Sequence, residues 1–593
     1  MGAGYSTCCS QSILPAGCIA SSANALPACV GEAVSESTSA EGRAAIGLEA
    51  RLAFQRSRLF TRSSCIPPLE VLTLGKFLGS GSFGCVYSAF SLRHRRANED
   101  DFSAAFAVKV FGKSALSGSK DPSDLRMWAA RCESFRVERA MLAALEHPHI
   151  VLLRESFESH ADMQLAMEQC TGDLYSTIVR GEEGLSQSRA QHLFWQIAYT
   201  VNYLHSFRIV HRDLKVDNWL LSGMKEGLEV VKLCDFGSAV CLQDGENIAP
   251  GSAKTRGLVG TLSYHAPEVL CAAGQSLRAD DWALGVLLYV MLVGEHPFKT
   301  PLTQDAVVME RICAGAVDRK RSRWQALPHD TKELVGSLLC VDQELRARSY
   351  QLLSHPWVAE ASPAQQGQLA QILDAHALQS VVELMEMFRC LDELQRLILV
   401  IAARFFPRFP YFDRSRDEVA GLCDVPWYSL FVALDADRDG RISIDEFMVG
   451  TKRTNWGPAR ILQVKALDVD DSGYIEWCEW ASLAVLAAAR TDAALFQEIE
   501  PLHSILRLLD TPTGDGILTV EDLLVSAVPI IQDDPTCGYS YPSCSLDEVG
   551  AHAAENCLAM LVRKWGGCAS KGGGAIGLQL HHLQRMMLID RFR

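Results

Sequence analysis

Hydrophobic and polar residues follow different patterns along the chain, and the pattern changes near residue 70. The residues before that point are rich in Ser, Ala, Gly and Cys and show no sustained periodicity, which predicts a disordered arm over residues 1–69. Short apolar runs at residues 71–74 and 106–109 then predict two β-strands. Folded structure is therefore expected to begin near Val71.

An apolar stripe marks a helical region later in the chain. Its members recur mostly at steps of three and four residues: Leu378, Val381, Val382, Met385, Phe388, Leu391, Leu394 and Ile398. This spacing places them on one face of a helix that we predict from about Ala361 to Phe406. The helix either packs against its own domain or presents these anchors to the groove of a helix-binding partner.

Composition and charge narrow the class of protein. The chain has 593 residues, 48% of them hydrophobic, and a formal net charge of −15. This length exceeds what one hydrophobic core supports, so several domains are expected. The negative charge argues against nucleic-acid binding. Twenty scattered Cys residues predict reduced thiols in a cytoplasmic setting. We expect no transmembrane helix, because no apolar run reaches about 18 residues.

The N terminus fits a lipid-anchor pattern. Residues 1–6 read M-G-A-G-Y-S, which matches N-myristoylation of Gly2, and Cys8 and Cys9 could take palmitate. One myristoyl chain binds membranes only marginally, so a second acyl chain would make the anchor stable. The alternative is a small-residue terminus with two idle thiols. The expected location is cytoplasmic, with attachment to a membrane surface if the anchor is made.

One short stretch carries the strongest chemical signal. Residues 211–218 read H-R-D-L-K-V-D-N, and D-F-G follows at residues 235–237. The two segments match the H-R-D-L-x-x-x-N and D-F-G motifs of protein kinases at the spacing of the catalytic core. The match implies that Asp213 orients a substrate hydroxyl and accepts its proton, and that Lys215 steadies the transferred phosphate.

The same motifs predict a site for Mg²⁺ and ATP. Asn218 and Asp235 would supply the oxygen ligands that Mg²⁺ prefers. The glycine-rich segment G-S-G-S-F-G-C-V follows the first strand, where the backbone can approach phosphates without a Cβ in the way. Lys109 ends a strand that fits V-A-I-K. The residues predicted to bind ATP are Gly79, Ser80, Gly81, Ser82, Phe83, Gly84, Val86, Ala107, Lys109, Met167, Glu168 and Cys170.

Lys109 needs an ion-pair partner on a neighbouring helix, and together the two would form part of the catalytic machinery. Glu138 and Glu133 both lie on a predicted helical segment. Glu138 is the first candidate for this partner, and Glu133 ranks second. Residues 112–131, which precede that segment, are interpreted as an insertion that forms a mobile surface loop.

Resemblance to protein kinases extends to the hinge and to the substrate side of the cleft. It implies that Met167 is the gatekeeper and that the backbones of Glu168 and Cys170 meet the adenine. Asp173 and Asp217 would carry negative charge beside the cleft, where acids of basophilic kinases pair with Arg or Lys of the substrate. Basic Ser/Thr substrates are therefore predicted, and solvated carboxylates are the alternative.

The next segments match the second half of a kinase domain. A-P-E at residues 266–268 closes the predicted activation segment, and Arg346 matches the arginine that usually pairs with Glu268. H-P-W at residues 355–357 resembles the usual end of the domain.

Two twelve-residue segments fit the EF-hand calcium loop, with acids at alternate positions, a turn glycine at position six and a closing Glu. The predicted ligands of loop 1, residues 435–446, are Asp435, Asp437, Asp439, the Arg441 carbonyl, Ser443 and Glu446. Those of loop 2, residues 468–479, are Asp468, Asp470, Ser472, the Tyr474 carbonyl, Glu476 and Glu479. The alternative is two acidic surface turns.

Two more loops are degenerate. A third loop can be aligned in two registers. The first uses Asp510 and Glu521, and the second uses Thr511, Thr513, Asp515, Gly516 and Asp522. The third loop is therefore a weak site or none. A fourth, near residues 572–576, has no carboxylate ligands.

Kinase motifs, an apolar junction and EF-hands in one chain resemble the calcium-dependent protein kinases of plants and protists over roughly residues 70–593. The resemblance implies an α+β fold, with a bilobal kinase domain at 70–357, a helical regulatory junction at 358–420 and an all-α EF-hand domain at 421–593. It also implies ATP, Mg²⁺ and Ca²⁺ as cofactors and protein substrates phosphorylated on Ser or Thr. We expect a monomer.

We hypothesise a two-state switch. Without calcium, the junction helix rests on the kinase and misplaces Glu138 or blocks the cleft; with calcium, the EF-hands capture the apolar stripe. The junction carries several acids and few Arg residues, which favours occlusion by the stripe over a pseudosubstrate. Two alternatives stay open: a calcium-gated scaffold with an inactive kinase domain, and an active kinase whose EF-hands are structural.

Overall fold

The protein is described here from a computed structural model. The residues that it describes are 63–64, 72–81, 84–91, 105–112, 122–158, 162–180, 184–222, 229–242, 260–271, 276–300, 302–363, 375–391, 393–405, 427–450, 461–469, 472–491, 517–518, 568–569 and 576–579. The predicted lipidation sites Gly2, Cys8 and Cys9 lie outside these ranges, as do Ser82, Phe83 and Asp470.

A six-stranded sheet opens the described fold. Its strands are β1 Ser63–Ser64, β2 Leu72–Ser80, β3 Cys85–Ser91, β4 Ala105–Gly112, β5 Leu153–Glu158 and β6 Asp162–Glu168. The spatial order is β1-β5-β6-β4-β3-β2, and every neighbouring pair is antiparallel except β1 with β5. β2 contains residues 72–74 of the first run predicted to be a strand, and β4 contains all of the second, residues 106–109. β1 lies within residues 1–69, which were predicted to be a disordered arm. β4 lies in the middle of the sheet, which fixes Lys109 between two neighbouring strands.

One long helix, α1 Pro122–Ala144, packs beside this sheet and carries Glu138. The prediction of a surface loop over residues 112–131 was therefore wrong in its second half, because the helix begins at Pro122. Proline is favourable in the first helical turn, where its missing N–H has no partner in any case.

A mostly helical lobe follows. Its helices are α2 Leu174–Arg180, α3 Gln187–Ser206, α4 Pro267–Leu270, α5 Leu277–Val293, α6 Asp305–Cys313, α7 Ser322–Ala326, α8 His329–Leu338, α9 Ser349–Leu352 and α10 Pro356–Ala359. Short strands support the catalytic segments: β7 Gly172–Asp173, β8 Ile209–Val210, β9 Trp219–Ser222, β10 Val230–Leu233 and β11 Val240–Cys241.

The predicted ion pair between Arg346 and Glu268 is made, with two guanidinium–carboxylate contacts of 2.6 and 2.8 Å. It ties the end of the activation segment to the segment between α8 and α9.

The junction consists of two helices, α11 Ala375–Arg389 and α12 Glu393–Phe405. The prediction of one continuous helix from Ala361 to Phe406 was therefore wrong. The amide of Leu391 bonds to the carbonyl of Phe388, so the helical ladder tightens and stops there. Both helices pack against helices of the EF-hand region.

The EF-hand region has two paired loops. Its elements are α13 Trp427–Leu434, β12 Ile442–Ser443, α14 Ile444–Gly450, α15 Ile461–Leu467, β13 Tyr474–Ile475 and α16 Trp477–Thr491. β12 and β13 pair antiparallel, which joins loop 1 to loop 2 through Ile442 and Ile475. Further along, β14 Ile517–Leu518 and β15 Cys568–Ala569 both pair with β16 Ile576–Gln579. The degenerate third and fourth segments therefore also meet through short strands.

The predicted α+β class is confirmed by this architecture. A helix long and apolar enough to cross a membrane is absent from the described ranges. Ten cysteines of the described ranges, from Cys85 to Cys478, are free thiols.

Gly285 on α5 should be needed for close packing. A Cβ at this position would lie 2.8 Å from Cβ of Leu338 and 2.9 Å from a methyl carbon of Leu339. We expect Gly285→Ala to lower the free energy of unfolding by about 1–3 kcal/mol, because the core cannot take the extra methyl without shifting. Urea unfolding followed by tryptophan fluorescence measures this change.

Gly336→Ala on α8 is the matched control. No atom lies within 4 Å of the added methyl, and the residue is exposed. This variant should be neutral or more stable by about 0.5–1 kcal/mol, since Ala restricts the unfolded chain. Equal stabilities for the two variants would contradict the packing account.

Candidate active site and calcium loops

Lys109 is held between two carboxylates in the interior of the kinase domain. Its ammonium lies 2.6 Å from Glu138 on α1 and 2.8 Å from Asp235 of the D-F-G segment. Only 5% of Lys109 and 1% of Glu138 is exposed, whereas Glu133 is exposed on the outer face of the helix. The structure therefore pairs Lys109 with the first-ranked candidate.

Burial and charge act against each other in this triad. Burial raises the pKa of Glu138 to about 7, and the nearby charge of Lys109 opposes that rise. Burial alone would lower the pKa of Lys109, but the charges of Glu138 and Asp235 raise it above its usual value. For Asp235, burial would raise the pKa, but the charge and hydrogen bond of Lys109, together with His211 and Lys215, lower it below its usual value. The ammonium and the Asp235 carboxylate are thus held in their charged forms.

Asp213 is fixed by contacts from three sides. Its carboxylate accepts hydrogen bonds from the Lys215 ammonium at 2.7 Å and from the amide and hydroxyl of Thr261 at 3.0 and 3.1 Å. The side-chain amide of Asn218 donates to the Asp213 carbonyl at 2.7 Å. Because the Asn218 nitrogen is used in this way, its amide oxygen is the atom that could act as a metal ligand. Asp213, Lys215 and Asn218, the three polar residues of this loop with predicted roles, therefore share one network with Thr261.

Asp280 at the start of α5 holds the backbone of the catalytic loop. It accepts hydrogen bonds from the amides of His211 and Arg212 at 2.7 and 3.0 Å. Arg212 has a φ of 68°, a left-handed conformation that L-residues rarely adopt, and these bonds stabilise it. Sequence reasoning did not assign this role to Asp280 or the contact of Thr261 with Asp213. The available signals were the position of Thr261 directly after Gly260 and that of Asp280 two residues before Trp282.

The glycine-rich strand approaches the triad closely. Gly81 donates its amide to the Gly84 carbonyl at 2.9 Å, and a Cβ on Gly81 would lie 3.8 Å from Asp235. At Gly84 a Cβ would lie 2.6 Å from the carbonyl oxygen of Val110, so only glycine fits there. These two positions leave a backbone-lined approach to Lys109, as phosphate binding requires.

The predicted hinge residues line the other side of the cleft. Ala107 pairs with Met167 between β4 and β6, and both are buried. The Glu168 carboxylate turns into the protein, where it lies 2.8 Å from the ammonium of Lys232 and accepts the amide of Leu152. Its amide donates to the Leu152 carbonyl at 3.1 Å, so its backbone carbonyl is the part that could contact a nucleotide. Cys170 follows, and burial raises the pKa of its thiol to about 12.

Loop 1 gathers three carboxylates. Oxygen atoms of Asp435, Asp437 and Asp439 lie within 4.8 Å of one another. Burial, with the neighbouring charge of Asp439, raises the pKa of Asp435 well above its usual range. Glu446 closes the loop by accepting the amides of Ala436, Asp437 and Ser443 at 2.8–3.1 Å. Clustered hard oxygen donors of this kind fit Ca²⁺.

Loop 2 repeats the construction. Asp468 accepts the amides of Ser472 and Gly473 at 2.7 and 2.8 Å, and Glu479 accepts those of Val469 and Glu476 at 2.8 and 2.9 Å. Gly440 in loop 1 and Gly473 in loop 2 have φ of 86° and 84°, the left-handed turn that position six requires. The Arg441 side chain pairs with Asp439 and lies over the ring of Tyr474, which links the two loops. The two loops are thus joined as a pair, and each has the left-handed turn glycine and the closing glutamate of the predicted calcium site.

Comparison with known proteins identifies both parts of the chain. The protein kinase domain family matches residues 72–358, and an EF-hand family matches residues 428–449. The chain therefore contains a protein kinase domain and an EF-hand, and the predicted cofactors ATP, Mg²⁺ and Ca²⁺ are those that the two families imply.

The curated relatives show which group of protein kinases the chain is similar to. Calcium-dependent protein kinase 9 of Oryza sativa subsp. japonica is 30% identical over 420 residues, 70% of this chain and 64% of the relative. Calcium-dependent protein kinase 22 of Arabidopsis thaliana is 26% identical over 478 residues, 77% of this chain and 84% of the relative. Calcium-dependent protein kinase 19 of the same plant is 28% identical over 420 residues, 70% of this chain and 67% of the relative. The predicted resemblance to the calcium-dependent protein kinases is confirmed.

Glu138→Gln tests the ion pair of Lys109. The change keeps the shape of the side chain but removes the charge, and such a charged hydrogen bond contributes about 1.5–3 kcal/mol. We expect kcat/KM for ATP to fall roughly 10- to 100-fold, measured by phosphate transfer to a peptide.

Glu133→Gln is the control, because Glu133 lies on the same helix but is exposed. A surface change of this kind should alter the rate by no more than about twofold. A loss in Glu133→Gln as large as that in Glu138→Gln would reverse the ranking of the two candidates.

Proposed function

We propose that the chain is a calcium-activated serine/threonine protein kinase that transfers the γ-phosphate of ATP to protein substrates. The observation that carries this proposal is the buried contact of Lys109 with Glu138 and Asp235 in a chain that also holds a paired set of EF-hand loops. Kinase chemistry depends on the placement of charge around the phosphate, and this triad supplies it.

The proposed roles follow from the contacts. Asp213 accepts the proton of the substrate hydroxyl, and the hydrogen bonds from Thr261 keep its carboxylate oriented. Lys215, 2.7 Å from Asp213, is placed to balance charge on the transferred phosphoryl group. Lys109 would contact the α- and β-phosphates of ATP, and Asn218 and Asp235 would hold the metal ion. Mg²⁺ bound there would neutralise charge on the phosphates.

The arrangement of the junction supports a regulatory switch. α11 and α12 pack against α15 and α16 of the EF-hand region, and the stripe residues Val381, Met385 and Phe388 are buried. The Lys109–Glu138 pair is intact in the same structure. Capture of the stripe and an intact ion pair are two features expected of the released state, although Arg404 on α12 also pairs with Glu146 of the kinase domain. Moving such an equilibrium from 1:99 to 99:1 takes about 5.5 kcal/mol of differential binding.

Phosphorylation of a peptide across a range of free calcium tests the whole proposal. The full chain, Mg-ATP and a Ser peptide with neighbouring Arg residues should give activity that rises from near zero. Flat and substantial activity would reduce the EF-hands to structural elements. A lack of transfer at every calcium concentration would favour a scaffold with an inactive kinase domain.

Calcium activation should depend on the closing residues of both loops. Glu446→Gln combined with Glu479→Gln removes two bidentate ligands, so activation by calcium should fall roughly tenfold or more at a fixed free concentration. The same peptide assay measures it.

Asp445→Asn is the matched control, because Asp445 is an exposed carboxylate beside Glu446 that is not a predicted ligand. It should leave the calcium response unchanged. A response that survives in the double variant would remove the EF-hands from the switch.

A preference for basic substrates belongs to the same proposal, and the two candidate acids differ in their surroundings. Asp173 caps α2, since its carboxylate accepts the amide and hydroxyl of Ser176 at 2.6 and 2.8 Å. Asp217 is exposed beside the catalytic loop. We therefore assign the substrate contact to Asp217 rather than to Asp173.

Asp217→Ala should lower kcat/KM for an Arg-containing peptide about two- to fivefold, the range of an exposed ion pair. A matched peptide with Ala in place of Arg serves as the control, and its rate should not change. Equal losses with both peptides would mean that Asp217 does not read substrate charge.

We also propose the N-terminal lipid anchor, a cytoplasmic location and a monomeric state. The anchor rests on the sequence pattern at Gly2, Cys8 and Cys9.

A further inference from the structure

Loop 1 lies directly against the kinase domain. The Tyr199 hydroxyl on α3 donates a hydrogen bond of 2.5 Å to the carboxylate of Asp435, the first predicted ligand of the loop. One helical turn further on, the Asn202 amide donates to the Arg438 carbonyl at 2.8 Å. The Arg438 guanidinium donates in turn to the Leu353 carbonyl. Kinase groups therefore bind the backbone and a ligand side chain of the same calcium loop.

The turn glycines show that this contact is particular to loop 1. A Cβ on Gly440 would lie 2.5 Å from the ring of Tyr203 and 2.8 Å from the ring of His147. On Gly473, the equivalent glycine of loop 2, a Cβ would meet no atom within 4 Å. The two glycines share nearly the same φ, so only packing against the kinase distinguishes them.

Tyr199 bonds to one particular oxygen of Asp435. Oδ2 of Asp435 accepts two hydrogen bonds, one from this hydroxyl and one from the Gly440 amide. Oδ1 accepts one hydrogen bond, from the Asp439 amide. With two donors on Oδ2, the side chain cannot rotate without breaking a buried hydrogen bond. Oδ1 is left as the oxygen with the larger free acceptor capacity.

We infer that helix α3 of the kinase domain forms part of the calcium site of loop 1, with Tyr199 as a positioning residue for Asp435. Loop 1 then has its full calcium affinity only when it is docked on α3. By linkage, calcium in loop 1 strengthens that docking by the same factor. The inference rests on the proposed calcium-binding role of loop 1, but not on the direction in which calcium changes activity.

A second contact connects this docking to the active site. His149 lies between Tyr428 of α13 and the kinase strand β10, with its Nε2 2.6 Å from the Tyr428 hydroxyl and its Nδ1 2.9 Å from the Val231 carbonyl. A carbonyl can only accept, so Nδ1 carries the proton and Nε2 accepts from the tyrosine. Burial lowers the pKa of His149 to about 3, which keeps the ring neutral. β10 leads directly to Asp235, so the docked EF-hand supports the strand that positions the D-F-G segment.

Calcium titration of the full chain tests the inference without an activity assay. In a Glu479→Gln background, loop 1 is titrated with calcium against a chromophoric chelator. Adding Tyr199→Phe keeps the buried ring but removes the hydroxyl, and the dissociation constant of loop 1 should rise about 3- to 30-fold. Asn202 contacts the Arg438 carbonyl, which is not a predicted calcium ligand. Asn202→Ala should raise the dissociation constant of loop 1 about two- to tenfold.

Two controls separate positioning from general destabilisation. Tyr289→Phe removes a buried hydroxyl that donates to the Asp318 carbonyl at 2.6 Å, and it should leave the affinity of loop 1 unchanged. In a Glu446→Gln background, where loop 2 is titrated instead, Tyr199→Phe should also have no effect.

Loop 1 affinities that stay within about twofold in both Tyr199→Phe and Asn202→Ala would overturn the inference. A clear shift in affinity, combined with flat kinase activity across calcium, would overturn the proposed activation but not the shared site. The two proposals can therefore fail separately.

Discussion

The buried ammonium of Lys109 is the constraint on which the kinase domain depends. Removing a charge from water costs several kcal/mol unless an opposite charge with good geometry meets it. Lys109 satisfies this condition only when β4, α1 and the D-F-G segment are all in place, because Glu138 and Asp235 come from different elements. The catalytic arrangement therefore forms as one unit, and a displacement of any one element would leave a buried charge without its partner.

The EF-hand region extends the same interior. One continuous apolar cluster includes Leu193 and Tyr199 of the kinase domain, Phe388 of the junction and Phe431 of the EF-hand region. The buried ion pair of Arg404 on α12 with Glu146, just after α1, joins the junction to the kinase domain as well. Calcium loops and catalytic groups are thus connected through packed elements.

Sequence patterns predicted those parts of the site that lie close together in the chain. The catalytic loop, the D-F-G segment and each calcium loop are short, and their residue types follow from local chemistry. The break between α11 and α12 was missed because apolar residues continue with helical spacing through Leu391. The start of α1 at Pro122 was missed for a related reason, since proline is compatible with both a loop and a first helical turn.

The sequence by itself determined the class of chemistry, because a motif of contiguous residues brings its own groups together. Only the tertiary structure decided which partners from distant segments those groups meet. Thr261 and Asp280 reach the catalytic loop from beyond the D-F-G segment, and Tyr199 reaches Asp435 from a helix far earlier in the chain. Such contacts depend on how buried helices pack, and packing leaves no periodic signal at a single tyrosine or threonine.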